Sequence, residues 1–136
     1  MHRSHQSKLM KKPILLINDD EAIVNQITNL LKAGDYYHIT AATAKEALMK
    51  ASGYDFSLIL LDLKLPDMEG DELYAKLIAS ESHYVVPVVA LVDSLDSAEV
   101  KVVNRLIPQG TVTLLSKPLK TEWLEDLFAR YGEKKK

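Results

Sequence analysis

Ile14-Leu15-Leu16-Ile17-Asn18-Asp19-Asp20-Glu21 is an apolar run that stops on acids, and two later runs stop in a comparable way. Leu58-Ile59-Leu60-Leu61 runs into Asp62, and Val112-Thr113-Leu114-Leu115 gives way to Lys117-Pro118. Short continuous apolar runs bounded by turn residues are the pattern of strands covered on both faces. If the three strands are parallel neighbours, their carboxyl ends bring three carboxylates and one ammonium to one edge of a sheet. That edge is where open α/β sheets bind ligands. Clustered carboxylates repel one another and are relieved by a hard cation such as Mg2+ or Mn2+. A lysine adds a point charge suited to a phosphate oxygen. The runs therefore point to a metal-dependent phosphoryl site built on an aspartate.

Outward from these runs the chain alternates strand and helix. Strands are expected near 13–18, 37–42, 56–61, 85–92 and 112–115, and helices near 21–33, 44–52, 71–79, 97–107 and 121–131. Ile23, Ile27, Leu30 and Leu31 share one stripe of the first helix, with Asp20 placed to cap it and Gly34 to end it. Thr43 caps the second helix and Gly53 stops it. Such alternation makes βαβ units with right-handed crossovers, hence an α/β fold on a parallel sheet.

Composition agrees. At 136 residues, 47% hydrophobic and 26% charged, the chain has the size and make-up of one globular domain. The absence of cysteine excludes disulfides and thiolate chemistry, and a net charge of −2 gives no sign of a nucleic-acid surface. No apolar run is long enough to span a bilayer, and His2, His5, His38 and His83 have no metal-ligand spacing. Residues 1–12 read as a flexible basic tail and 132–136 as a solvated tail around a domain at 13–131. The expected location is cytoplasmic.

Four motifs in order across residues 13–131 resemble the receiver domain of two-component response regulators. They are Ile14–Glu21, then Asp62-Leu63-Lys64-Leu65-Pro66-Asp67-Met68-Glu69-Gly70, then Pro87-Val88-Val89-Ala90-Leu91, then Lys117-Pro118-Leu119. The resemblance implies a five-stranded parallel sheet in flavodoxin-like order 2-1-3-4-5, doubly wound with helices on both faces. It implies Asp62 as phosphoacceptor, with Asp19, Asp20, Asp62 and the main-chain carbonyl of Lys64 around Mg2+. Lys117 would hold a phosphoryl oxygen, while Pro66, Gly70 and Pro118 shape loops and Lys117–Pro118 is a candidate cis bond. The implied donors are a sensor histidine kinase, a phosphotransfer protein or a small phosphodonor. The domain would phosphorylate and dephosphorylate itself rather than act as a conventional enzyme.

The switch positions depart from that family. Where a hydroxyl residue and then a small residue are expected, the chain has Val92 and Asp93, and Leu114 replaces the usual aromatic. Valine has nearly the shape of threonine but donates no hydrogen bond; Ser94 is the substitute candidate. Asp93 adds negative charge where a dianion must arrive. The fourth helix, rich in apolar residues from Ala98 to Ile107, forms with the fifth strand and fifth helix a candidate dimer or output face. The chain reads as a stand-alone receiver or one cut from a longer protein. The competing reading is a receiver-like interaction module without a phosphorylation cycle. An unrelated nucleotide-binding enzyme is disfavoured, because no glycine-rich loop follows the first strand.

Overall fold

A computed structural model of the chain describes residues 11–79, 86–93, 97–109 and 112–135. In chain order the elements are β1 (Ile14–Ile17), α1 (Glu21–Ala33), β2 (His38–Ala41), α2 (Ala44–Ala51), β3 (Leu58–Asp62) and α3 (Gly70–Ile78). They continue with β4 (Val88–Val92), α4 (Ser97–Leu106), β5 (Val112–Ser116) and α5 (Thr121–Tyr131). All pairings are parallel and the order is β2-β1-β3-β4-β5. The expected doubly wound topology is thus the observed one.

Strand alternation explains why both faces need helices. Leu15, Ile17, Ile59, Leu61, Val88 and Ala90 point to one face, where α2, α3 and α4 cover them with Ala47, Leu73, Leu77, Val102 and Leu106. Ile14, Leu16, Leu58, Leu60, Val89 and Leu91 point to the other and meet Ile27 and Leu31 of α1 and Leu124 and Phe128 of α5. Each fully buried leucine contributes about 1.5–3 kcal/mol by leaving water. A truncation such as Leu60→Ala costs about 2–5 kcal/mol, since the cavity adds to the lost transfer energy.

Local chemistry sets the boundaries. Asp20 accepts from the Ala22 amide at 2.9 Å and starts α1. Thr43 Oγ1 accepts from Glu46 N–H at 3.0 Å while Glu46 Oε1 accepts from the N–H of Ala42, just before the cap, at 2.8 Å, so both side chains hold the start of α2. Gly34 ends α1 for a steric reason: a Cβ there would sit 2.5 Å from the Tyr36 ring. The left-handed turn itself falls on Asp35, at φ 59°. Pro108 has no amide hydrogen, and α4 tightens at this point into a short 3-10 turn, Ile107–Gln109.

The carboxyl-terminal segment, exposed at Lys134 and Lys135 as a solvated tail would be, is also tied to the fold by main-chain bonds. Tyr36 and Lys134 form an antiparallel bridge, Tyr37 N–H donates to Glu133 O at 2.9 Å, and Lys135 N–H donates to Asp35 O at 2.9 Å. The segment supplies main-chain partners to the start of the edge strand β2, which sequence pattern alone does not reveal. The expected basic tail lies almost wholly outside the described residues.

Candidate functional site

The site begins with strand register. Ile17 pairs with Leu61, so Asn18 and Asp62 end adjacent strands side by side. Asp62 is only 4% exposed, and its carboxyl pKa is pushed up to about 6, chiefly by burial. The Lys64 N–H, donating to Oδ1 at 3.1 Å, and the charge of Lys117 pull the other way. Asp19 and Asp93 repel its charged form. Asp62 is therefore a carboxylate whose ionised state lacks sufficient compensation.

The three residues after β1 divide their roles. Asp19 is exposed at the edge and acts electrostatically on Asp62. Asp20, expected beside it as a cation ligand, directs Oδ1 at the Ala22 amide of α1. Asn18, which the sequence did not mark, is 2% exposed; its Oδ1 accepts from Asp20 N–H at 2.8 Å and its Nδ2 has no partner. An unpaired buried amide costs about 1–3 kcal/mol, and native structures concentrate such groups where a ligand or water completes them. Among the described residues no group of three or more histidine and acidic side chains is poised to hold a metal. Asp19, Asp20 and Asp62, with the main-chain carbonyl of Lys64 expected beside them, are hard oxygen donors. Such a set fits Mg2+, which takes few protein ligands and keeps several waters.

Across the sheet, β4 and β5 deliver a different group. Lys117 Nζ lies 2.5 Å from Asp93 Oδ1, and Lys64 Nζ lies 3.8 Å from Asp93 Oδ2. The Asp93 amide donates to Glu99 Oε2 at 2.8 Å, and Glu99 is 1% exposed. Glu99 was invisible as a site residue in the sequence, where an acid in a first helical turn signals only favourable placement near the helix dipole. Val92 is buried and its carbonyl accepts from Lys117 N–H at 2.8 Å, while Leu114 is 40% exposed. Ser94 lies outside the described residues.

The loop after β3 is shaped as its spacing implied. Gly70 N–H donates to Leu63 O at 3.1 Å, and a Cβ on Gly70 would lie 2.8 Å from Leu63 Cα. Asp67 turns to the start of α2 and accepts from the Ala44 and Lys45 amides at 2.8 and 3.0 Å, which holds its pKa below the ordinary value. Arg105 of α4 reaches back to Asp71 at 2.9 Å and Glu69 at 2.7 Å. The Lys117–Pro118 bond is cis.

Fold and edge together define a flavodoxin-like α/β protein with a polar centre at the carboxyl ends of β1, β3, β4 and β5. A model of the response regulator receiver domain matches residues 14–129, and the chain belongs to that family. It is 27% identical over 123 residues to the response regulator protein FleR of Pseudomonas aeruginosa, a match covering 90% of this chain and 25% of that protein. The chain thus spans a quarter of the length of that curated relative. A CheY-like receiver domain structure from Methanospirillum hungatei superposes with a TM-score of 0.75 at 29% identity, covering 89% of this chain and 94% of that one. The Vibrio cholerae chemotaxis protein CheY4, crystallised at low pH, gives 0.76 at 26% identity, with 90% and 99% covered.

Proposed function

We propose that this receiver domain accepts a phosphoryl group on Asp62 from a sensor histidine kinase, a phosphotransfer protein or a small phosphodonor. The observation that carries the proposal is the buried Asp62 set between the repulsion of Asp19 and the attraction of Lys117 at the ligand-binding edge. An oxygen of the Asp62 carboxylate attacks phosphorus in line. The bond from phosphorus to the donor's nitrogen or oxygen breaks, and its electron pair leaves with the donor. Little covalent work falls to the protein in such a transfer, so positioning and charge decide the rate. Bound Mg2+, held by Asp19, Asp20, Asp62 and the Lys64 carbonyl, would neutralise charge on Asp62 and on the phosphoryl oxygens. Lys117 then orients one phosphoryl oxygen. The candidate dimer or output-partner surface is the face of α4, β5 and α5, where Val100, Ile107 and Leu114 are 39%, 56% and 40% exposed. The setting is cytoplasmic, where such kinases present their phosphohistidine; no described helix is long and apolar enough to cross a membrane.

Intact-mass measurement after incubation with acetyl phosphate and Mg2+ tests the proposal. One phosphoryl group is expected, labile to hydroxylamine as acyl phosphates are, and Asp62→Asn is expected to remove it. A second reading, an interaction module without a phosphorylation cycle, draws on buried Val92 and on the Asp93–Lys117 pair. It gains if the wild type stays unlabelled while Asp62 remains folded and accessible to the solvent edge.

A further inference from the structure

We propose that Asp93 is a tethered competitor for the phosphoryl subsite, closing the resting site with the protein's own carboxylate. The inference rests on Asp62 being the phosphoacceptor. Lys117 projects from the end of β5 with only 16% of its side chain exposed, and its Nζ is 2.5 Å from Asp93 Oδ1. Lys64, just beyond β3, approaches the other oxygen at 3.8 Å. One carboxylate thus bridges cations from both sides of β4, and one of its oxygens lies against the Lys117 charge assigned to an incoming phosphoryl oxygen.

Asp93 is built into this place rather than resting there by chance. Its backbone is anchored by the 2.8 Å bond from its N–H to Glu99 Oε2, and Glu99 is buried at 1% exposure. Its side chain, at 42% exposed, has solvent to rotate into. A fixed backbone with a rotatable anionic head is the geometry of a latch. Closed, it shares the charge of Lys117 and leaves Asp62 under the combined repulsion of Asp19 and Asp93. Opened, it releases Lys117 to the phosphoryl oxygen and removes one of those two repulsions. Phosphorylation must therefore displace Asp93, and a dianionic donor meets this barrier before it meets Asp62.

The test compares labelling rates of the wild-type chain, Asp93→Asn and Asp93→Ala with acetyl phosphate and Mg2+, read by intact mass. Asp126→Asn, which removes a negative charge on α5, controls for net charge. Both Asp93 variants are expected to label at least about tenfold faster, the order of a lost charge-assisted hydrogen bond, and Asp126→Asn at the wild-type rate. Two Asp93 variants that differ in size guard against a packing artefact. Equal rates for wild type and the Asp93 variants overturn the competitor and leave Asp62 as phosphoacceptor. Slower labelling of the Asp93 variants also overturns it, since Asp93 would then assist transfer. Equal acceleration by Asp126→Asn reduces the effect to bulk charge and overturns it too. If no protein is labelled, the phosphoacceptor reading fails and the competitor falls with it.

Discussion

The ends of β1 and β3 and the ends of β4 and β5 lie side by side on one sheet edge, yet they are organised on opposite electrostatic terms. At the first pair, Asp19 and Asp62 repel each other, and a buried Asn18 amide is left unpaired. At the second, Asp93, Lys117 and Lys64 compensate one another, and Val92 closes into the core. The first corner has an unmet demand for a cation; the second is already satisfied. The cation demand and the paired lysine therefore lie at neighbouring corners of one edge, and they are coupled, since Lys117 and Asp93 both act on the charge of Asp62.

The largest expected effect breaks the frustrated corner. Asp62 has a folded pKa near 6 against an ordinary 3.8, so the folded chain binds more protons than the unfolded chain between those values. The contribution of Asp62 to stability is then greatest below about pH 4, falls as pH rises through 6 and is flat above it. The difference amounts to about 3 kcal/mol. Asp62→Asn is expected to raise stability by up to that amount at neutral pH without Mg2+, and by nothing near pH 4, in urea melts at the two pH values. A gain that does not vary with pH would show that burial of charge is not the cause.

A smaller effect concerns the acids of the edge. Asp20→Ala is expected to weaken Mg2+ binding far more than Asp67→Ala, measured by titration calorimetry, and to lose the α1 cap as well, worth about 1 kcal/mol. Equal losses of Mg2+ affinity would show that the cation lies elsewhere. The smallest effect concerns the satisfied corner. Val92→Thr restores a hydroxyl at nearly constant shape, and a hydrogen bond to a charged group contributes about 1.5–3 kcal/mol. Part of that gain is offset by burying the hydroxyl in the resting state. A modest enlargement of the amide-shift response to beryllofluoride is expected; no enlargement would mean that another donor already fills the position.

The sequence disclosed the fold readily because the apolar runs are continuous, as strands covered on both faces must be. The placement of Asp62 and Lys117 at the carboxyl edge was legible because strand-end position and residue type coincide there. The roles of the pair after β1 were not separable in sequence, because helix caps and cation ligands both select acids; the fold adds that Asp20 Oδ1 caps α1 through the Ala22 amide. Asn18 passes in sequence for a turn residue, since its burial depends on β2 and β3 closing around it. Asp93 was legible as a charge but not as a partner, because its pairing with Lys117 needs β4 and β5 in register. Residues 133–135 carry no strand signal, being fixed by main-chain bonds to the segment before β2 rather than by side chains.

The most direct measurement is an amide chemical-shift map of the wild-type chain with Mg2+ and beryllofluoride. If an intact acceptor corner lies beside a muted switch, large shifts are expected around Asn18–Asp20, Asp62–Leu65 and Lys117, with small ones in α4 and around Leu114 of β5. Large shifts spreading through α4 and β5, or none at the ends of β1 and β3, would contradict the account.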